Sequence, residues 1–245
     1  MIDRPPLPDL SAHAFTRPEV KAFFHDGSNT LTYVVADPAT GTAVVIDPVR
    51  DYDQASGRLG STAAEEVLAF VKAEGLKVTH ILETHVHADH LSAAPFMKAV
   101  LGATLGIGAR VTEVQEVFGE MFAAGDDFAL NGSQFDLLFE DGARFEVGGL
   151  SACVIATPGH TPACVSYLIG DAVFCGDTVF MPDFGTARCD FPGGDARVLY
   201  HSVQRLFGLP EETRLFVGHD YLTSNRKDYA WETTSAEQRA KNIHL

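Results

Sequence analysis

The chain's 245 residues are 46% hydrophobic and 21% charged, with 18 basic against 33 acidic side chains and a net charge of −15. An apolar content this high argues against a disordered chain. A charge this negative leaves no electrostatic footprint for nucleic acid or an anionic membrane surface. No run approaches the ~18 apolar residues of a bilayer-crossing helix. The proline-rich start MIDRPPLPDL lacks the apolar core of a signal peptide, so the protein reads as cytoplasmic.

Residues 1–22 read as an irregular lead-in. Apolar runs at 31–36 and 42–47 flank Asp37-Pro38-Ala39-Thr40-Gly41 and predict a hairpin. After a loop over 48–61, Ser61 or Thr62 caps a helix with glutamates at 65 and 66 and an apolar face of Val67, Leu68, Phe70 and Val71, ended by Gly75. A strand over 78–84, a helix over 93–100, a strand over 103–107 and a helix over 111–122 follow. The second half is richer in short strands, predicted at 144–147, 150–157, 163–169 and 172–175. Then come a helix over 196–207, a strand over 214–217 and a helix from 235. Two β-rich halves with flanking helices predict two sheets stacked inside helical layers.

Chemistry concentrates at strand ends. Thr84-His85-Val86-His87-Ala88-Asp89-His90 sets three histidines and an aspartate directly after the 78–84 strand. Imidazole and carboxylate suit zinc or iron, and such a cluster is costly to bury without a metal or partners. Pro158-Gly159-His160-Thr161, Gly176-Asp177-Thr178 and Gly218-His219-Asp220 each add one ligand type past a later strand, beside a glycine that lets the chain turn. The other histidines, His13, His25, His80, His201 and His244, read as surface or satisfied core residues. Among the cysteines, Cys153, Cys164 and Cys175 sit in apolar runs and read as reduced core thiols. Cys189 lies in a polar loop beside Arg188.

The ordered set H-x-H-x-D-H, G-H-T, G-D-T and G-H-D resembles the metallo-β-lactamase fold superfamily from about Phe23 to Tyr221, with Asp47 of Val45-Ile46-Asp47-Pro48 at its first aspartate position. The resemblance implies an α/β, four-layer αββα sandwich, a single domain over 1–245, with the metal cleft at one edge. The run from Gly159 to Tyr167 looks like the branch of glyoxalase II-type thioester hydrolases and persulfide dioxygenases. The segment from Met181 to Asp195 resembles the persulfide dioxygenases, in particular bacterial β-lactamase-hydrolase-like proteins. Only 25 residues follow Asp220, no room for the helical glutathione-binding domain of glyoxalase II. The chain also stops just after Ala236–His244, where that group usually continues, so its helical tail reads as short or missing.

The resemblance implies two competing metal arrangements. In the dioxygenases one Fe(II) is held by the counterparts of His85, His160 and Asp177, while His87, Asp89, His90 and His219 orient ligands and move protons, Asp89 and His90 as the catalytic candidates. In the hydrolases two zincs are held, one by His85, His87 and His160 and one by Asp89, His90 and His219, with Asp177 between them. The implied reaction is oxidation of glutathione persulfide by dioxygen to glutathione and sulfite, the alternative hydrolysis of a glutathione thioester. Arg188 is the expected partner of a glutathione carboxylate, unless it pairs with Asp183 or Asp190. Tyr221 is a candidate cleft residue, and Arg226 and Lys227 read more as surface charges. Candidate macromolecular partners are a second copy of the chain and a rhodanese supplying the persulfide.

Overall fold

The computed structural model describes residues 6–125 and 127–245, in which two six-stranded sheets lie between outer helices. β1 (Glu19–His25) pairs antiparallel with β2 (Thr30–Ala36) over its whole length. β3 (Thr42–Ile46) returns through the expected hairpin, where the Asp37 carboxylate accepts the Ala39 N–H at 3.0 Å and the Thr40 hydroxyl at 2.8 Å. The stretch expected as a loop holds three two-residue strands, β4 (Val49–Arg50), β5 (Tyr52–Asp53) and β6 (Arg58–Leu59). Ser61 does precede α1 (Thr62–Ala73), but its hydroxyl bonds Glu65 at 2.9 Å; Asp51 takes the Ala63 N–H at 3.1 Å in its place. β7 (Lys77–Leu82), β8 (Leu91–Ser92), α2 (Ala94–Leu101), β9 (Thr104–Gly108), α3 (Val111–Met121) and β10 (Leu137–Phe139) complete this half, with sheet order β1-β2-β3-β7-β9-β10.

The second sheet carries β11 (Arg144–Val147), β12 (Leu150–Ala156), β13 (Val165–Ile169) and β14 (Ala172–Phe174). α4 (Ala196–Leu206), β15 (Arg214–Phe216), β16 (Glu232–Thr234) and α5 (Ser235–Lys241) follow, and the strands lie in sequence order. Tyr33 and Leu82 of one sheet meet Tyr167, Phe174 and Phe216 of the other in one buried cluster. Two phenols tie the sheets: Tyr33 donates to the Val217 carbonyl at 2.6 Å and Tyr167 to the Glu83 carbonyl at 2.9 Å. Opposite faces bury Val34, Val45 and Ile81 against Val67 and Val71 of α1 and Met97 of α2. Leu199, Val203 and Leu206 of α4 pack with the second sheet. The result is the expected four-layer α/β, αββα arrangement, and because inner strands are covered on both faces, β2 is buried throughout.

Further expectations change. The lead-in gives way to β1 at Glu19, because EVKAFFH carries no strong alternation and takes its register from β2. The first five residues of that lead-in lie outside the described ones. β7 stops at Leu82 and β13 starts at Val165, short of the predicted ends, since Glu83 and Thr84 leave the strand: the Thr84 carbonyl accepts the Val165 N–H at 2.9 Å, and Glu83 donates to Gly106 at 2.9 Å. β10 and β16 were not expected: β10 (LLF) takes its place alongside β9 and β16 (ETT) alongside β15, each set by its neighbour. No helix among the described residues is long and apolar enough to cross a membrane.

Candidate metal centre

His85, His160 and Asp177 come from three separate strand ends and converge in one buried group. His85 Nε2 lies 3.9 Å and His160 Nε2 3.7 Å from Asp177 Oδ2. Two bonds of ~2.1 Å to a shared ion can span ~4.2 Å, so an ion fits between these atoms. Hydrogen bonds fix which nitrogen is free. Thr84 donates its hydroxyl to Asp47 at 2.7 Å, so it accepts from His85 Nδ1 at 3.0 Å, leaving His85 Nε2 as a lone pair. That atom is buried and has no hydrogen-bond partner among the described residues. The Arg188 carbonyl, which can only accept, takes the His160 Nδ1–H at 2.7 Å and frees His160 Nε2 in the same way. Gly159 makes the approach possible: at φ +133° a Cβ there would run into the Leu199 backbone.

His219 supports this group without joining it. Its Nδ1 meets Asp177 Oδ1 at 2.8 Å and its Nε2 meets Asp89 Oδ2 at 2.8 Å. Burial disfavours its charge, but the two carboxylates outweigh burial and raise it to about 10. Burial likewise opposes ionisation of Asp177, and His219, His85 and His160 more than reverse it, holding that carboxyl below its ordinary range.

A second group contains His87, Asp89 and His90. His87 and His90 stack with ring centroids 4.3 Å apart, and His87 Nδ1 and His90 Nε2 are buried without partners among the described residues. His87 Nε2 points the other way, to Glu83 at 3.2 Å and Asp47 at 3.3 Å. His87 is therefore not gathered with His85 and His160, as a three-histidine first site would require. Burial and the neighbouring charged His87 lower His90 to about 4. Glu83 was not singled out in the sequence; its position two residues before His85 was the available signal.

A cavity of about 740 Å³ opens over the first group, lined by Asp89, His160 and Asp177 on one side and by aromatic residues on the other. Tyr221 stacks flat on His219, 5.4 Å between centroids and 5° between planes, and packs against Phe180 and Phe184. Arg188 lines the cavity too, but its guanidinium forks onto Asp190 at 2.6 and 2.8 Å and lies 4.7 Å from the Phe191 ring centre. Asp183, the other partner considered, is held instead by Thr223 at 2.6 Å and Arg226 at 2.9 Å. Arg226 is thus no plain surface charge: it also grips Asp220 with two bonds of 2.6 Å. His244, read as unremarkable, lines the same cavity and accepts from the Thr186 N–H at 3.1 Å. Cys153, Cys164 and Cys175 are buried free thiols, as expected, and Cys189 is partly exposed.

The metallo-beta-lactamase superfamily profile matches residues 25–219. The chain belongs to the metallo-beta-lactamase superfamily. Within it, the chain is 50% identical over 228 residues to a beta-lactamase hydrolase-like protein of Agrobacterium fabrum, covering 93% of this chain and 52% of that protein. The chain thus spans about half the length of that relative. It is 30% identical over 205 residues to human persulfide dioxygenase ETHE1, covering 82% of this chain and 68% of that one. The crystal structure of ETHE1 from Myxococcus xanthus is similar with a TM-score of 0.71 at 34% identity, covering 92% of this chain and 83% of that one. Superfamily members are metalloenzymes, and the convergent histidines and aspartates of this chain are its candidate ligands.

Proposed function

We propose that the protein is a glutathione-dependent persulfide dioxygenase that uses one Fe(II) per chain. The observation that carries the reading is the two-histidine, one-carboxylate group of His85 Nε2, His160 Nε2 and Asp177 Oδ2, with His219 committed to two carboxylates and His87 turned into a separate group. An iron in such a triad offers open positions at which a persulfide sulfur and dioxygen can react. The chain's own residues do the rest. Thr84 and the Arg188 carbonyl aim the two imidazoles, and His219 orients Asp177. Asp89, bonded to His219 and 40% exposed, is placed to pass protons between that imidazole and water. Phe180, Phe184, Phe191 and Tyr221 form an apolar wall that limits water at the sulfur. Besides the candidate ligand His160, Arg188 and His244 are the nitrogen-bearing side chains lining the cavity, placed for the anionic end of the thiol carrier. Overall, the persulfide, dioxygen and water give glutathione, sulfite and two protons.

The similarity to ETHE1 in sequence and fold supports this reading. A second reading, a dinuclear zinc thioester hydrolase, is favoured by the group of His87, Asp89 and His90, which could hold a second ion. Metal content and oxygen uptake decide between them. Protein from iron-supplemented medium should carry one iron per chain and consume oxygen with glutathione persulfide. Two zincs per chain with fast S-lactoylglutathione hydrolysis and no oxygen uptake would reverse the assignment.

A further inference from the structure

A second cavity, of about 480 Å³, lies on the other side of the Ala88–Asp89 ridge, within the size range of small-ligand sites. Ala88 and Asp89 line both cavities, so the two lobes adjoin at these residues, beside the ligand groups. Arg50 lines the second lobe, and its place is set by the backbone: β4 pairs antiparallel with β8, which puts Arg50 opposite Leu91, the residue after His90. Its Nε is buried and has no hydrogen-bond partner among the described residues.

The nearby acids do not answer it. Asp51 is spent on the Ala63 N–H at 3.1 Å and on His25 at 3.5 Å. Asp53 accepts the Ala55 and Ser56 N–H groups at 3.0 and 3.2 Å. Asp89 is held by His219 at 2.8 Å. Arg50 thus lines the cavity with no carboxylate paired to its guanidinium among the described residues, and in a chain of net charge −15 such an unpaired cation is suited to an anion from outside the chain.

We propose that Arg50 heads an oxyanion subsite in this second lobe, opposite the lobe of Arg188, Tyr221 and His244. The inference rests on the reading of the cleft as one that handles an anionic thiol derivative. Two sources share the chemistry: a carboxylate of a carrier whose thiol sits between two carboxylate-bearing arms, as in glutathione, or the sulfite released. The planar fork of arginine matches either.

Calorimetric titration of the iron-loaded protein under anaerobic conditions tests this without turnover, using glutathione, its glycyl monoethyl ester and sulfite as probes on wild type, Arg50→Met and Arg50→Lys. If the carrier's glycyl carboxylate is the ligand, Arg50→Met weakens glutathione by about ten- to a hundredfold, leaves the ester nearly unchanged, and lysine restores part. If sulfite is the ligand, its affinity alone falls by that factor. Equal affinities of glutathione and sulfite in wild type and Arg50→Met, at unchanged melting temperature, overturn the subsite. Oxygen uptake by the wild type with glutathione persulfide is scored separately. Uptake with no effect of Arg50→Met removes the subsite and keeps the function. Absence of uptake removes the function, and if neither probe then binds the wild type, the subsite falls with it.

Discussion

The carbonyl oxygen of Arg188 accepts the Nδ1 proton of His160 at 2.7 Å, while the guanidinium of the same residue is 64% exposed and turned onto Asp190. One residue therefore aims a candidate ligand with its backbone and faces the cavity with its side chain, and mutation can separate the two roles. Arg188→Ala should retain its metal, because the carbonyl remains. An exposed ion pair contributes only ~0.2–1 kcal/mol, so the melting temperature should hardly move. If the guanidinium swings from Asp190 to a substrate carboxylate, KM should rise about ten- to a hundredfold with kcat nearly constant. An unchanged KM in steady-state kinetics would take Arg188 out of the substrate site.

Ligand substitutions should divide cleanly. His85→Ala, His160→Ala and Asp177→Ala each remove one of three converging atoms and should purify nearly metal-free. His87→Ala should keep most of the metal, since His87 belongs to a different group. Elemental analysis of the four variants is sufficient, and loss of metal in His87→Ala as complete as in His85→Ala defeats the three-ligand assignment.

Arg226 bridges Asp183 and Asp220, and the Asp220 side chain is 1% exposed. Arg226→Met leaves that carboxylate buried with only backbone donors, such as the Ala230 N–H at 2.7 Å. Breaking such a pair costs about 3–5 kcal/mol in general. The partial exposure of Arg226 and the surviving Ala230 bond put the expected loss at about 2–3 kcal/mol, read as a shift in denaturant midpoint. A shift below ~0.5 kcal/mol would mean that water or another cation replaces the arginine.

Gly185 and His244 form a tight contact although 59 positions apart in the chain. At φ +99°, a Cβ on Gly185 would enter the His244 ring. Gly185→Ala is therefore expected to cost about 1–3 kcal/mol in backbone strain alone and to displace the imidazole from the cavity. His244→Ala should raise KM with little change in melting temperature. If Gly185→Ala leaves both KM and stability untouched, this contact has no bearing on the cleft.

Thiol chemistry should single out one cysteine. Burial pushes Cys164 and Cys175 up to about 12 and raises Cys153 as well. Only thiolates react quickly with disulfide reagents. Native protein should therefore give one fast equivalent per chain, and Cys189→Ser should abolish it. Two or more fast equivalents would show that a buried strand opens on the time scale of the assay.

The candidate ligand groups are legible in the sequence because their residues cluster at strand ends with distinctive spacing: three histidines and Asp89 fall within the six positions 85–90, shortly past the end of β7. The partners that aim them were not. The bond from His160 to the Arg188 carbonyl spans 28 residues and involves no side chain of residue 188, so no motif reports it. Asp47 stood out only by resemblance, and its role as acceptor of the Thr84 N–H and hydroxyl depends on β3 and β7 lying side by side. β1 was missed because its order comes from β2 rather than from its own pattern. Asp190, two residues from Arg188, is the one of its two candidate acidic partners that the fold supplies, whereas the grip of Arg226 on Asp183 needs a fold to bring 43 residues together.

The cavity wall from Phe180 to Gly185 is tied down from the far end of the described chain: Gln238 donates to the Phe180 carbonyl at 2.8 Å, Asn242 to that of Gly185 at 3.0 Å, and the Ile243 N–H to that of Pro182 at 3.1 Å. During synthesis the chain emerges from its N-terminus. His85, His160 and Asp177 therefore leave the ribosome at least 61 residues before Gln238 does, the interval from Asp177. On a nascent chain the candidate ligands are therefore made before the residues that tie this wall of the cavity in place.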